Sequence, residues 1–390
     1  MYDFDHGAQR RGTGCIKWDI QARDESGRGD LLPFSIADAD YKTYPPVVDA
    51  LKERADNGVI GYADPDDEYY EAIQSWCERR HGWKVERDWI VPVGGLVTSI
   101  AYCLEAMTSP GAKVIVQTPV YDPFFSVIEA TGRTQLTNPL LHDESGYHMD
   151  FDGLKALAEQ GAEMLILCSP HNPVCRVWTR EELSRVAEIC REYGILIFSD
   201  EIHWDLILGG REHISMGLFP EVADLLVVGT SCSKTFNVAG LETSNLIIPG
   251  EKIRRKLMGY LYSRYLFSPN VMGMTAVKAA YRDGDAWVDE QKAYLTENAQ
   301  MVVDFMKEYL PKVKVAEPQG TYLLWLDMTA YGRSDEELVQ LIREKGAVLN
   351  GGKVYGEGYD GFLRMNVACP KSQLIAGLER IRAALTELEG

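Results

Sequence analysis

The chain reads as an α/β protein: a large domain built on a mostly parallel sheet, followed by a smaller α+β domain at the carboxyl end. Three observations predict this. Short, continuously apolar runs recur through the middle of the chain, bounded by Gly, Pro, Asp or Ser, as strands buried on both faces require. Segments with apolar residues at helical spacing lie between several of these runs, the alternation that lays helices over a parallel sheet. Past Pro269 the style changes to a long helical stretch and then a few strands and helices. With 390 residues and 46% hydrophobic side chains, the chain is long enough for two or three structural units and apolar enough to bury their cores.

Residues 1–46 are expected to form an amino-terminal arm and connection. This stretch is polar, carries Gly12, Gly14, Gly27 and Gly29, and closes on a break at Tyr44-Pro45-Pro46. Residues 47–285 are assigned to the large domain. Val48, Leu51 and Ala55 recur at helical spacing over 47–57, and Tyr69, Ile73, Trp76 and Cys77 share one helical face over 68–80. Ile90-Val91-Pro92-Val93 runs into Gly94-Gly95 and then a helical run over 96–107. A glycine turn at a helix amino terminus can bind phosphate through free N–H groups and the helix dipole. The apolar runs occupy 113–117, 164–168, 195–199, 225–229 and 245–249. Helical spacing resumes through Ala276, Ala279, Val288, Tyr294 and Val302 to Leu310, broken at Asp283-Gly284-Asp285. Residues 286–390 are assigned to the small domain, with strands over 321–327, 348–349 and 362–367 and helices over 334–344 and 371–388.

Charge and composition exclude several functions. Lysine and arginine total 40 against 58 aspartates and glutamates, a net charge of −18, which argues against a nucleic-acid partner. No stretch approaches the roughly 18 apolar residues needed to cross a bilayer, and residues 1–6 lack the basic flank and apolar core of a leader. A cytoplasmic protein with no membrane partner is expected. The eight cysteines are scattered without a C-x-x-C pair, and the seven histidines form no H-E-x-x-H cluster. They read as reduced thiols and no metal site.

In open α/β sheets ligands bind beyond the carboxyl ends of the strands. After 113–117 comes Thr118-Pro119-Val120-Tyr121-Asp122, and after 164–168 comes Ser169-Pro170-His171-Asn172. Asp200-Glu201-Ile202-His203 follows 195–199, and Thr230-Ser231-Cys232-Ser233-Lys234 follows 225–229. Taken singly, each residue has an ordinary use: a core tyrosine, a turn asparagine, a helix-capping aspartate, a surface lysine. Their succession at consecutive strand ends is what argues for chemistry. A pyridine ring needs a face to stack on and an anion at its nitrogen, a phosphate needs N–H and hydroxyl donors, and an aldehyde needs a lysine amine for a Schiff base. Pyridoxal 5'-phosphate meets each condition.

The segments Pro119-Val120-Tyr121-Asp122-Pro123-Phe124, Cys168-Ser169-Pro170-His171-Asn172-Pro173, Ser199-Asp200-Glu201-Ile202-His203, Ser231-Cys232-Ser233-Lys234-Thr235-Phe236-Asn237 and Phe362-Leu363-Arg364-Met365-Asn366 resemble fold-type I pyridoxal phosphate enzymes of the aminotransferase class I/II superfamily. Arg10-Arg11-Gly12-Thr13 with Lys17-Trp18-Asp19, and Ile36-Ala37-Asp38, narrow the resemblance to the MalY/PatB family of cystathionine and cysteine-S-conjugate β-lyases. The resemblance implies a seven-stranded-type sheet and a homodimer that shares its active site between subunits. It implies that Lys234 holds the cofactor and moves the substrate's α-proton, Asp200 partners the pyridinium nitrogen, Tyr121 stacks on the ring and Asn172 bonds its phenolic oxygen. Ser231, Ser233 and the Gly94-Gly95-Leu96 backbone match phosphate contacts, and Tyr62 a phosphate contact from the neighbouring subunit. His203 falls on the same side of the cofactor pocket, supporting Asp200 or nearby backbone. Arg364 matches the arginine that forks onto the substrate carboxylate, with Asn172, Ile36 and Ala37 beside it. As a strand, 362–366 puts Phe362 and Arg364 on one face and Leu363 and Met365 on the other.

Two departures stand out. Cys175 occupies the place of the family's glycine after Asn172-Pro173, adding a Cβ where positive φ is usual. Glu242 replaces the phosphate-binding arginine of many aminotransferases, which favours the lyase branch. The leading expectation is β-elimination of S-substituted L-cysteines to thiol, pyruvate and ammonia. An aminotransferase of the same fold, or a cofactor-binding protein with a regulatory role, are the alternatives.

Overall fold

The computed structural model describes residues 2–23, 30–266 and 269–388; Met1, residues 24–29 with Gly27 and Gly29, residues 267–268 and residues 389–390 lie outside the described residues. The arm contributes a short strand, Leu32–Pro33 (β1), and leads into α1 (Pro45–Asp56) and α2 (Asp67–His81). The expected break at Tyr44-Pro45-Pro46 is instead a helix start, with proline in the first turn of α1. A missing N–H costs nothing there, and the fixed φ suits the helix. Next come β2 (Ile90–Val93), α3 (Leu96–Met107), β3 (Lys113–Val116), α4 (Pro123–Ala130) and β4 (Thr134–Thr137). A hairpin of β5 (Leu141–Asp143) and β6 (Gly146–His148) precedes α5 (Phe151–Glu159), β7 (Ala162–Cys168), α6 (Arg180–Tyr193) and β8 (Leu196–Asp200). β9 (Leu226–Thr230), β10 (Ser244–Ile247) and α7 (Glu251–Ser263) complete this part.

Seven strands form the central sheet in the order β2-β10-β9-β8-β7-β3-β4. Only β10 runs against its neighbours; the other pairings are parallel. Alternation along the strands explains the continuous apolar runs. Val114, Val116, Met164, Ile166 and Phe198 face one layer with Leu96, Ile100, Leu104, Leu257 and Leu261 of α3 and α7. Ile115, Leu165, Leu167 and Ile197 face the other, with Leu154, Leu183 and Val186 of α5 and α6. Neither face is left polar because neither meets water.

α8 (Val271–Asp283) and α9 (Asp285–Tyr309) meet at the expected interruption. A Cβ on Gly284 would stand 2.3 Å from the Ala280 carbonyl oxygen and 2.6 Å from the Phe236 ring, so only glycine fits the junction. The remaining elements are β11 (Lys314–Val315), β12 (Leu323–Asp327), α10 (Asp335–Glu344), β13 (Ala347–Val348), β14 (Asn350–Gly351), β15 (Phe362–Asn366) and α11 (Lys371–Thr386). They build an antiparallel sheet in the order β11-β12-β15-β14. β1 pairs in parallel with β13, Leu32 opposite Ala347, so the arm folds back onto the carboxyl-terminal part of the chain. Among the described residues no helix is long and apolar enough to cross a membrane, and all eight cysteines are free.

Candidate active site

The carboxyl ends of β3, β7, β8 and β9 open into one pocket, to whose lining the arm contributes Ala37. Asp200 is the last residue of β8, one place further along the strand than the sequence pattern suggests. Its side chain is buried and accepts the N–H of Ile202 at 3.1 Å. Burial pushes its carboxyl up to about 7, against the pull of Lys234. Lys234 follows β9, and its Nζ donates to the Ala37 carbonyl at 2.8 Å. Burial lowers its pKa from the usual lysine value; Asp38 and Asp200 oppose this and Arg364 adds to it.

Tyr121 and Asn172 stand in the pocket wall after β3 and β7. Burial moves the Tyr121 phenol up to about 12. The Asn172 Oδ1 accepts from Arg364 Nη1 at 3.2 Å, and Arg364 Nη2 donates to the Ser35 carbonyl at 2.7 Å. Arg364 is buried, lies 5.1 Å over the Tyr355 ring and leaves its Nε without a partner. No carboxylate is ion-paired with it among the described residues. An arginine in that state is incomplete: its uncompensated charge and free donor call for an anion.

Gly95 caps α3 and lines the pocket with Leu96 and Val97, so the amino end of a helix of 12 residues faces in; Gly94 lies just behind. Ser233 lines the pocket, whereas Ser231 does not. The Ser231 hydroxyl donates to the Thr243 carbonyl at 2.7 Å and accepts the Ser233 N–H at 3.0 Å, which shapes the turn into Lys234. His203 is buried in the wall, its Nδ1 without a partner and its ring edge-on to Tyr322. Ala37 lines the pocket, while Ile36 turns its carbonyl to Asn366 Nδ2 at 2.5 Å. Tyr62 is wholly exposed, at 112%, and takes no part in the pocket of its own chain.

Glu242, at the place of the aminotransferases' phosphate-binding arginine, lines the pocket, and sequence reasoning missed Val97, Thr243 and Ser244, which line it too. The last two arrive because β10 runs antiparallel and so starts at the edge where the parallel strands end; the apolar run at 245–249 carried no sign of its direction. Cys175 does adopt the left-handed conformation, with φ 62°, and its buried thiol donates to the Leu323 carbonyl at 2.6 Å.

The residues fit pyridoxal phosphate. A buried carboxyl raised to about 7, with no ion-paired cation among the described residues, gains as the anion from a protonated ring nitrogen; an amine of lowered pKa suits a Schiff base, and a helix amino end suits a phosphate. The model of the family described as aminotransferase class I and II matches residues 29–381. The chain belongs to that family. Within it, the chain is 42% identical to the cystathionine beta-lyase PatB of Bacillus subtilis, covering 98% of this chain and 100% of that protein. It is 35% identical to the protein MalY of Escherichia coli, over 97% of each. These relatives put it in the MalY/PatB group of the family. The crystal structure of cystalysin from Treponema denticola, which contains a pyridoxal 5'-phosphate cofactor, is 33% identical and superposes with a TM-score of 0.95 over 100% of both chains.

Proposed function

We propose that this member of the family is a pyridoxal phosphate-dependent C–S lyase of the cystathionine β-lyase type, which converts S-substituted L-cysteines to thiol, pyruvate and ammonia. The observation that carries this reading is the convergence of Lys234, Asp200 and Asn172 on one pocket, with the buried Arg364, its Nε free, bonded to Asn172 behind the wall. The likeness to PatB supports the choice of a lyase.

When bound, pyridoxal phosphate supplies an electron sink at the substrate's α-carbon, so that loss of the α-proton lets the C–S bond break with its electron pair on sulfur. Arg364 orients the substrate: its guanidinium forks onto the α-carboxylate, and the Ser35 carbonyl gives up its bond to Nη2. Asn172, already bonded to Nη1, keeps the fork in plane. Lys234 takes the α-proton on Nζ, its pKa lowered by burial so that a neutral amine is accessible. Asp200 would hold the proton on the ring nitrogen of the cofactor, Tyr121 would offer its ring a face, and Ser233 with the amino end of α3 would take its phosphate.

Purified holoenzyme incubated with cystathionine should release pyruvate and free thiol in equal amounts. Amino transfer to 2-oxoglutarate without pyruvate would select the aminotransferase reading, and neither activity the regulatory one. Borohydride reduction followed by peptide mass mapping should leave the cofactor on Lys234. A homodimer with Tyr62 reaching into the partner's pocket is part of this reading, supported by its full exposure. Sedimentation should give twice 43.8 kDa, and Tyr62→Phe should weaken cofactor retention; a monomer with normal retention would remove it.

A further inference from the structure

The motif Arg10-Arg11-Gly12-Thr13 with Lys17-Trp18-Asp19 is unused by the chemistry above and lies outside the span that the family model matches. In the fold it closes on itself. The Asp19 carboxylate accepts the N–H groups of Gly12, Thr13 and Cys15 at 2.9, 3.1 and 3.0 Å, and the Arg11 guanidinium lies 4.9 Å over Trp18. This turns Arg10, Lys17 and Trp18 onto a strap, residues 35–41. Arg10 forks onto Asp38, Nη1 to Oδ1 at 2.8 Å and Nη2 to Oδ2 at 2.6 Å, and Nη1 also reaches Asp40 at 2.8 Å. Lys17, 1% exposed, donates to Asp40 Oδ2 at 2.9 Å and the Asp38 carbonyl at 3.1 Å. Trp18 Nε1 and Gln373 Nε2 complete the Asp40 carboxylate at 2.8 and 2.9 Å.

In this part-buried cluster of two cations and two carboxylates, the Lys17–Asp40 pair at its buried centre recovers little more than the desolvation it costs. Its effect is on position, and the strap it grips holds the catalytic side chains. The Ser35 carbonyl accepts from Arg364, and the Ala37 carbonyl accepts from Lys234 Nζ at 2.8 Å and from the Tyr322 hydroxyl at 3.0 Å. A single peptide bond separates Ala37 from Asp38, and Lys17 and Arg10 also hold the Asp38 and Ala39 carbonyls at 3.1 and 3.0 Å, so the grip reaches the backbone of the strap.

We propose that Arg10 and Lys17 are positioning residues of the active site: by gripping Asp38 and Asp40 they set the strap carbonyls that aim Lys234 and Arg364. The inference rests on the roles of those two residues given above. The negative charge of Asp38 also acts on Lys234 directly, opposing the effect of burial.

The test uses full-length holoenzyme carrying Arg10→Met or Lys17→Met, with Arg10→Lys as the conservative variant. The probe is glycine, which presents a carboxylate and an amine but has no leaving group. In both Met variants its Kd, read from cofactor absorbance, should rise by about tenfold or more, the scale expected of a small misplacement. The pH midpoint of the visible band should move up, because removal of a cation leaves Asp38 or Asp40 less neutralised. With cystathionine, KM should rise more than kcat falls, and Arg10→Lys should return most of each change. Wild-type glycine affinity and an unmoved midpoint in the Met variants, whatever their Tm, would overturn the proposal. Should Lys17→Met not fold, Arg10→Met decides alone, its side chain lying 19% exposed at the edge of the cluster. Wild-type protein that holds no cofactor on Lys234 would overturn the reading of the site instead.

Discussion

Burial at the end of a strand favours the neutral form of a carboxyl, and Asp200 is pushed up to about 7 from 3.8, against the pull of Lys234. A raised folded-state pKa contributes stability that is complete below the unfolded value, near 4, and is lost as pH rises through about 7. In cofactor-free protein, Asp200→Asn should therefore raise Tm more at pH 8 than at pH 5, since part of the stability is already lost by pH 5. A pH-independent difference in Tm would show that burial does not set this group's titration. In the holoenzyme the same substitution should retain cofactor and lose roughly a hundredfold or more in kcat, since a neutral amide cannot hold the ring proton; near-normal turnover would remove Asp200 from the chemistry. Arg364→Lys replaces a fork with a point charge. Losing one charge-assisted bond, worth about 1.5–3 kcal/mol, should raise KM roughly tenfold to a hundredfold with a smaller effect on kcat. An unchanged KM in steady-state kinetics would assign Arg364 to Asn172 and Ser35 alone.

At the scale of elements, burial decided what could be read in the sequence. β7, β8 and β9 are covered on both faces and stood out as apolar runs, whereas β4, largely exposed at the sheet edge, and the β5–β6 hairpin carry no such pattern. The break at Tyr44-Pro45-Pro46 and the helical spacing from Val47 place the start of α1 two residues late, because proline, which lacks an N–H, fits the first turn of a helix. The polar residues at parallel strand ends were legible because each strand announces where its loop begins. Thr243 and Ser244 were not, since they precede a strand whose direction depends on its partners. Loop conformation adds a prediction. Cys175 holds φ 62°, which costs a residue with a Cβ about 1–2 kcal/mol. Cys175→Ala keeps that cost and loses the thiol's bond, while Cys175→Gly loses the bond and the cost together. The glycine variant should be the more stable of the two in denaturant titration, and the reverse order would show that packing of the Cβ outweighs strain. On α6, Thr179 and Glu182 form a reciprocal cap. Thr179→Ala should cost about 1 kcal/mol in the same titration, with no loss if water replaces the hydroxyl.

For the whole molecule, the charge of −18 is large enough to act on the folded state by self-repulsion. Raising sodium chloride from 10 to 150 mM, which shortens the screening length from about 30 to about 8 Å, should raise Tm. A fall would show that paired networks such as Arg10, Lys17, Asp38 and Asp40 outweigh the excess. The return of the arm onto β13 was beyond reach of local pattern, because a strand of 2 residues, Leu32 and Pro33, has no periodicity to read. Its ends are specified only by what they meet.

The reversed strand β10 works as a ruler. Ser244 pairs with Val93 of β2 and Asn245 with Thr230 of β9, so the loop bearing Lys234 is anchored at both ends to one graduation of the sheet. A slip of one residue would turn Asn245 and Leu246 to the wrong layers, and a slip of two would carry one anchor about 7 Å along the strand. Either error would leave helix and strand content almost untouched while moving the lysine off its mark. Misregistered molecules in a preparation would therefore be counted by colour: native in far-ultraviolet dichroism, yet without the yellow of cofactor bound at Lys234.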